Sequence, residues 1–137
     1  MIVADANVIV YALTPGEHTS LAREALERAD GVAVPALWRL EVANALAVIV
    51  RRGFLTPKQA TEVFAGAVTT FASREHETAP DAALRIALES SLSTYDAEYV
   101  ALARALGCTL VTNDARLLRE APDVARPLVH QSGASST

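Results

Sequence analysis

Short apolar runs alternate along the chain with longer segments whose apolar spacing is that of helices. The runs at residues 1–5, 32–34 and 109–112 predict buried strands, and residues 76–78 and 127–130 are weaker candidates for two more. Short apolar strands that alternate with helices predict a parallel sheet covered on both faces. We therefore expect an α/β fold: a three-layer α/β/α sandwich whose central, mostly parallel sheet has four to five strands.

Helix boundaries are marked by caps and breakers. Pro35 occupies the favoured first position of a long helix that Gly53 ends. The segment Thr56-Pro57-Lys58-Gln59 is a capping-box start for the next helix. The predicted helices cover residues 6–13, 19–29, 35–52, 56–70, 80–90, 94–106 and 114–119.

The length of 137 residues is enough for one domain with a real core. An apolar share of 51% and a charged share of 20% fit a folded globule. No repeat or linker divides the chain, so we predict a single domain over residues 1–130. The Ser/Gly-rich tail at residues 131–137 is predicted to be disordered.

The location of the protein is predicted from three features. Cys108 is the only cysteine, so a disulfide framework is excluded and a reducing compartment is expected. The chain opens with strand-like residues rather than a signal peptide. Its longest apolar run, residues 42–50, is too short to span a bilayer. We expect a soluble, cytoplasmic protein with no membrane partner.

Four acids occupy positions that an α/β fold would bring together: Asp5, Glu41, Asp96 and Asp114. Asp5 and Asp114 follow predicted strands, whose carboxyl ends share one edge of a parallel sheet. Clustered carboxylates attract hard divalent cations, which many enzymes use to cleave phosphodiesters. The sequence therefore predicts a site for one or two Mg²⁺ or Mn²⁺ ions.

Three of these acids also have purely structural interpretations. Asp5 suits an N-cap or Asx-turn after a strand, and Asp114 suits a cap for the short helix that follows it. Ser93 and Asp96 form a capping pair at the start of a helix. Capping and metal binding are compatible, since a helix start holds a carboxylate rigidly.

Glu41 has the weakest structural interpretation. The helix around it, residues 36–50, is apolar almost all round, so we expect it to be largely buried. An ionised carboxylate there costs several kcal/mol unless it is paired or bound to metal. Arg39 points elsewhere along the helix, although a distant arginine remains an alternative partner.

Several polar and aromatic residues near these acids are open to two interpretations. Those that either support the acidic site or only shape turns and caps are Asn7, Ser93, Thr112 and Asn113. Arg51 and Arg52, at a helix end, either cap the helix dipole or contact an RNA backbone. Trp38 and Tyr95 favour core or dimer packing over stacking on bases.

Net charge of −4 argues against a nucleic-acid partner. The four singled-out acids equal that excess in number, so the remaining surface is neutral. Apart from Lys58, every basic residue is arginine, which matches phosphate well. The acidic balance weakens a nucleic-acid interpretation without excluding it.

Four segments resemble, in order, the motifs of PIN-domain nucleases of the small VapC-type toxin group. They are Val3-Ala4-Asp5-Ala6-Asn7, the segment from Pro35 to Leu46, Tyr95-Asp96-Ala97-Glu98-Tyr99 with the residues to Ala103, and Leu110 to Leu117 with Thr112-Asn113-Asp114. The resemblance spans roughly residues 1–118. It implies that Asp5, Glu41, Asp96 and Asp114 bind metal, with Asn7 and Thr112 in support.

The same resemblance implies an activity and partners. A VapC-type protein is expected to cleave single-stranded RNA with Mg²⁺ or Mn²⁺, as the toxin of a toxin–antitoxin pair. It is expected to form a homodimer and to bind a cognate antitoxin that covers the acidic site. Other functions stay open at this point: an aspartate-based phosphatase, a phospho-acceptor receiver domain, and a catalytically silent PIN-like interaction module.

Overall fold

The computed structural model describes residues 1–129 and contains a five-stranded sheet with seven α-helices. The strands are β1 (Ile2–Ala4), β2 (Val32–Pro35), β3 (Glu75–His76), β4 (Thr109–Val111) and β5 (Ala125–Arg126). The helices are α1 (Ala6–Leu13), α2 (Thr19–Arg28), α3 (Trp38–Arg51), α4 (Pro57–Phe71), α5 (Ala82–Leu88), α6 (Thr94–Leu106) and α7 (Ala115–Glu120), with a 3-10 turn at Ala72–Arg74. The predicted α/β fold with a parallel central sheet is confirmed.

The sheet order, β3-β2-β1-β4-β5, decides where a site can form. All pairs are parallel, and β1 lies between β2 and β4, with Ile2 opposite both Val32 and Thr109. The chain extends the sheet first on one side of β1 and later on the other. Such a reversal opens a crevice at the carboxyl ends of the strands beside it. Asp5 and Thr112 directly follow β1 and β4, at this crevice.

The core is formed by the apolar strands and by one face of each long helix. Val3, Val34 and Leu110 are completely buried, as a parallel sheet covered on both faces requires. Trp38 and Tyr99 are the largest fully buried side chains. Trp38 therefore packs in the core, as predicted, and its indole donates a hydrogen bond to Glu75 Oε2 at 2.6 Å.

The start and the burial of the long helix differ from the prediction. Pro35 ends β2 opposite His76 and does not begin α3, because its fixed φ angle also suits extended backbone. The helix begins at Trp38 and buries one stripe, Trp38, Val42 and Leu46. Leu40 is 77% exposed, so the expectation that this helix is largely buried is wrong.

The two weakly predicted strands are also displaced. The third strand lies at Glu75–His76 rather than 76–78. The fifth lies at Ala125–Arg126 rather than 127–130, because Pro127 has no N–H to donate to a sheet. His130 and the tail at residues 131–137 lie outside the described residues. Within residues 1–129, no helix has both the length and the apolar character needed to cross a membrane.

Candidate active site

All four singled-out acids line one groove at the carboxyl edge of the sheet. The groove has a volume of about 730 Å³, and its walls come from α1, α3, the start of α6 and the residues after β4. Asp5, Glu41, Asp96 and Asp114 are separated by up to 109 positions in the sequence (from 5 to 114), so only the fold brings them together. The parallel strand order does this because it places the ends of β1 and β4 side by side.

Asp5 is the most buried of the four, with a relative exposure of 6%. It stands at the N-cap position of α1, yet its side chain makes no capping hydrogen bond. Instead, its Oδ2 accepts a hydrogen bond of 2.8 Å from the Thr112 hydroxyl. Burial raises the pKa of Asp5, the hydrogen bond from Thr112 lowers it, and the charges of Glu41, Asp96 and Asp114 raise it, so that together they place it at about 6. The capping interpretation of this carboxylate is therefore wrong.

Thr112 joins two of the acids at the end of β4. Its hydroxyl donates to Asp5 and accepts the backbone N–H of Asp114 at 3.0 Å. Asp114 does cap α7, since its Oδ1 accepts the Leu117 N–H at 2.9 Å. This cap uses one of the two carboxylate oxygens and fixes the side chain at the groove.

Asp96 belongs to a helix cap and also lies at the groove. Ser93 caps α6, because its hydroxyl accepts the Asp96 N–H at 3.1 Å. The Asp96 carboxylate lines the groove. Burial and then the charge of Asp114 raise its pKa, while Arg116 and the Ser93 hydroxyl lower it. The cap positions the acid.

Glu41 and Tyr99 are a pair of polar groups left unsatisfied beneath the groove. Glu41 Oε1 and the Tyr99 hydroxyl are both buried, and neither has a hydrogen-bond partner of normal geometry among residues 1–129. They are close enough to interact: burial raises the pKa of Glu41, the Tyr99 hydroxyl lowers it, and Asp96 raises it. No arginine forms an ion pair with Glu41 in the described chain, and Arg39 pairs with Glu75 at 2.7 Å.

Some of the remaining candidate residues line the groove and others do not. Asn7 and Arg52 line the groove, and both are exposed. Arg51 is exposed but does not line it, and Asn113 shapes the chain elsewhere by accepting the Leu128 N–H at 2.9 Å. Tyr95 lines the groove with 65% of its surface exposed, so it does not pack in the core, and packing against a second chain stays a prediction.

The donor set suits a hard divalent cation. Carboxylate oxygens are the preferred ligands of Mg²⁺, and a cation would offset the burial and the mutual repulsion that raise the pKa values of Asp5, Glu41 and Asp96. The unpartnered Glu41 Oε1 is a further oxygen suited to this task. As the side chains stand in residues 1–129, no three acids, histidines or cysteines are gathered into a ready coordination group. Direct ligation by three of these groups would require rotation of carboxylates that already share the groove, whereas a cation held through waters would not.

Two residues at the site were not singled out from the sequence. Tyr99 lies one helical turn after Asp96 on α6, a spacing that places both on the same face. That spacing was a usable signal, but an aromatic residue in an apolar helix also fits simple core packing. Arg116, near Asp96, carried no signal beyond its charge.

The phosphatase and receiver interpretations lack the residues they need. A phosphatase with an aspartyl nucleophile usually has a second acid two positions after that nucleophile, and here Asn7 stands two positions after Asp5. A receiver domain needs a lysine near the end of a late strand, but Lys58, the only lysine, is exposed at the start of α4 and does not line the groove.

Comparison with known proteins identifies the family. The PIN domain model matches residues 2–123. Ribonuclease VapC3 of Pyrobaculum aerophilum is 33% identical over 129 residues, which cover 92% of this chain and 98% of that protein. The chain therefore belongs to the PIN domain family, as its motifs indicated.

Solved structures agree with this assignment. PAE2754 from Pyrobaculum aerophilum superimposes with a TM-score of 0.72 at 27% identity, over 93% of this chain and 90% of that one. VapBC2 from Rickettsia felis, bound to a DNA fragment from their promoter, gives a TM-score of 0.62 at 17% identity, over 93% of this chain and 98% of that one. The second likeness shows the fold alone.

Proposed function

We propose that this protein is a metal-dependent endoribonuclease that cleaves single-stranded RNA and acts in the cytoplasm as the toxin of a toxin–antitoxin pair. The observation that carries the proposal is the convergence of Asp5, Glu41, Asp96 and Asp114 on one groove. The likeness to a VapC ribonuclease over nearly the whole chain supports it.

The four acids would hold one or two Mg²⁺ or Mn²⁺ ions. When bound, such a cation stabilises negative charge on the phosphate and makes water a better nucleophile. Asp5 and Asp114 are held in place by Thr112, and Asp96 by the helix start that Ser93 caps. Rigid positioning of this kind is what a phosphoryl-transfer site requires from its protein.

Groups around the acids are suited to a nucleic-acid strand. Tyr95 exposes an aromatic ring in the groove, and such rings stack on unpaired bases. Arg52 offers a guanidinium to a backbone phosphate at the same groove, whereas Arg51 lies outside it. The neutral balance of the remaining surface makes these local contacts, rather than a general positive field, the source of affinity.

Cleavage is tested by incubating the purified protein with total RNA and Mn²⁺ and mapping the new ends. The proposal predicts 3′-hydroxyl and 5′-phosphate ends, because water and not a ribose hydroxyl attacks. Asp5→Asn and Asp96→Asn should abolish cleavage. Metal-dependent cleavage that persists in both variants would rule out the assignment.

A second chain is proposed as the antitoxin that covers the acidic groove. The VapBC2 structure from Rickettsia felis holds a fragment of promoter DNA. With a net charge of −4, the present chain is a poor DNA-binding protein, so DNA contact falls to the partner. A basic side chain from the partner would suit a groove lined by four acids. Co-expression with the cognate antitoxin should yield a complex that does not cleave RNA.

We also propose a homodimer. Leu84 and Leu88 stand one turn apart on α5 and expose 52% and 76% of their surface, and exposed apolar strips are typical of contact surfaces. Light scattering on the purified protein tests the dimer, and a mass of one chain at micromolar concentration would contradict it.

A further inference from the structure

We propose that Arg116 and Arg119 form a subsite for a backbone phosphate of single-stranded RNA, next to the phosphate that is cleaved. The inference rests on the proposed nuclease function, which it deepens by locating a contact that directs the strand. It assigns a role to two arginines on α7 that the four-acid site does not use.

A smaller groove lies on the surface beside the acids. This second groove has a volume of about 380 Å³ and is lined by Asp96, Asp114, Ala115, Arg116 and Arg119. Asp96 and Asp114 line the main groove as well, so the two grooves meet at these carboxylates. A strand whose scissile phosphate lies at the acids would pass directly onto the smaller groove. The two arginines are three positions apart on α7 and therefore share a face.

Neither Arg116 nor Arg119 is held by a strong ion pair within residues 1–129. Arg116 is near enough to Asp96 to lower its pKa, yet within residues 1–129 it forms no ion pair. It donates a long hydrogen bond of 3.5 Å to the Ser91 carbonyl. Arg119 has a 3.6 Å contact with Glu120, and its side chain is 62% exposed. Exposed pairs of this kind contribute little, about 0–1 kcal/mol. By contrast, Arg104 is held by two hydrogen bonds of 2.9 Å to Asp123.

The surface on the other side of Tyr95 carries negative rather than positive side chains. The groove there is lined by Glu77 and Glu98, which would repel a polyanion. A strand crossing the acids therefore leaves more favourably over α7. The guanidinium fork of arginine matches two phosphate oxygens at once, which lysine does not do.

The test is RNA binding in an Asp5→Asn background, which removes cleavage. Affinity for a short fluorescent single-stranded RNA is measured in Mg²⁺ at several salt concentrations. Replacing both arginines with glutamine should weaken binding about tenfold or more. The same replacement should lower the slope of log affinity against log salt by about 0.7 for each phosphate that the variant no longer binds. Replacing both Arg28 and Arg74 with glutamine is the matched control, since it removes the same two charges from exposed arginines that line other grooves.

Arg116→Lys tests the contribution of the guanidinium fork of Arg116 separately from that of its positive charge. It should keep the salt slope of the parent and bind less tightly, because the charge remains while the fork is absent. Thermal unfolding of each variant checks that the fold is intact. The subsite is overturned if the double glutamine variant binds RNA with the affinity and salt slope of its parent. Such a result leaves the nuclease proposal standing, because RNA cleavage by the unmodified protein is measured separately.

Discussion

Asp5 carries a charge that is unfavourable to the fold when no cation is bound. Its pKa in the folded protein is about 6, against 3.8 for an unperturbed aspartate. Between these values the folded state holds a proton that the unfolded state has lost, so stability falls as the pH rises through this window. The difference between the two pKa values corresponds to a loss of about 3 kcal/mol in the free energy of unfolding, and this loss is complete above a pH of about 6. Raised pKa values at Glu41 and Asp96 act in the same direction.

This cost predicts that the cation-free protein becomes more stable on mild acidification. The free energy of unfolding, measured in urea with a chelator present, should rise as the pH is lowered from about 7 to about 5. Asp5→Asn should remove most of that rise and should be more stable than the parent above a pH of about 6. Stability that is flat or decreases over this range in the parent would show that Asp5 is not held in the way described.

Tyr99 is a second buried polar residue at the site. Its hydroxyl is buried and lies near Glu41 without a hydrogen bond of normal geometry among residues 1–129, so Tyr99→Phe removes a group that the fold satisfies only in part. We expect unfolding free energy to stay within about 1 kcal/mol of the parent, or to increase. The pKa of Glu41 should rise, because the hydroxyl that lowers it is gone. A decrease of several kcal/mol in urea unfolding would mean that the hydroxyl is bonded in solution.

At the scale of elements, two helix caps of the same chemistry differ in where they lie. Ser93 caps α6 and positions Asp96, whereas Thr56 caps α4 through a complete capping box with Gln59. Ser93→Ala and Thr56→Ala should each cost about 1 kcal/mol of stability. Only Ser93→Ala should also reduce the rate of RNA cleavage, because only that helix start holds an acid of the groove. Equal cleavage rates in the two variants would separate the cap from the site.

The elements that can be predicted from the sequence are those with strong local signals. The capping box at Thr56 and both ends of α6, at residues 94 and 106, lie where the sequence places them, since caps act within a few residues. The prediction for Pro35 is wrong because its fixed φ angle suits a helix start and a strand end equally. The prediction for the fifth strand is displaced because a two-residue strand forms by pairing with β4 and has no pattern of its own.

The candidate site also has some features that the sequence predicts and others that it does not. The positions of Asp5 and Asp114 follow from predicted strands, because strand ends meet at one edge in any parallel sheet. The hydrogen bond from Thr112 to Asp5 spans 107 positions and depends on β1 and β4 being neighbours. The unsatisfied pair of Glu41 and Tyr99 depends on how α3 packs near α6. Such facts arise from tertiary packing and leave no local trace in the sequence.

At the scale of the whole molecule, the charge distribution follows from the fold. A net charge of −4 is no obstacle to an RNA substrate if it is concentrated in a groove that cations neutralise. The strand order that creates the crevice also places arginines of α7 beside it. On the proposed function, the protein would depend on bound cations both for catalysis and to offset the repulsion between the acids and a polyanionic substrate.

The central claim is that four acids distant in sequence form one divalent-cation site, and titration calorimetry with Mn²⁺ alone tests it most directly. The parent protein should bind Mn²⁺ with measurable heat, and each of Asp5→Asn, Glu41→Gln, Asp96→Asn and Asp114→Asn should weaken that binding by about tenfold or more. Glu77→Gln, on the neighbouring groove, is the matched control and should bind as the parent does. Unchanged Mn²⁺ affinity in all four variants would contradict the account.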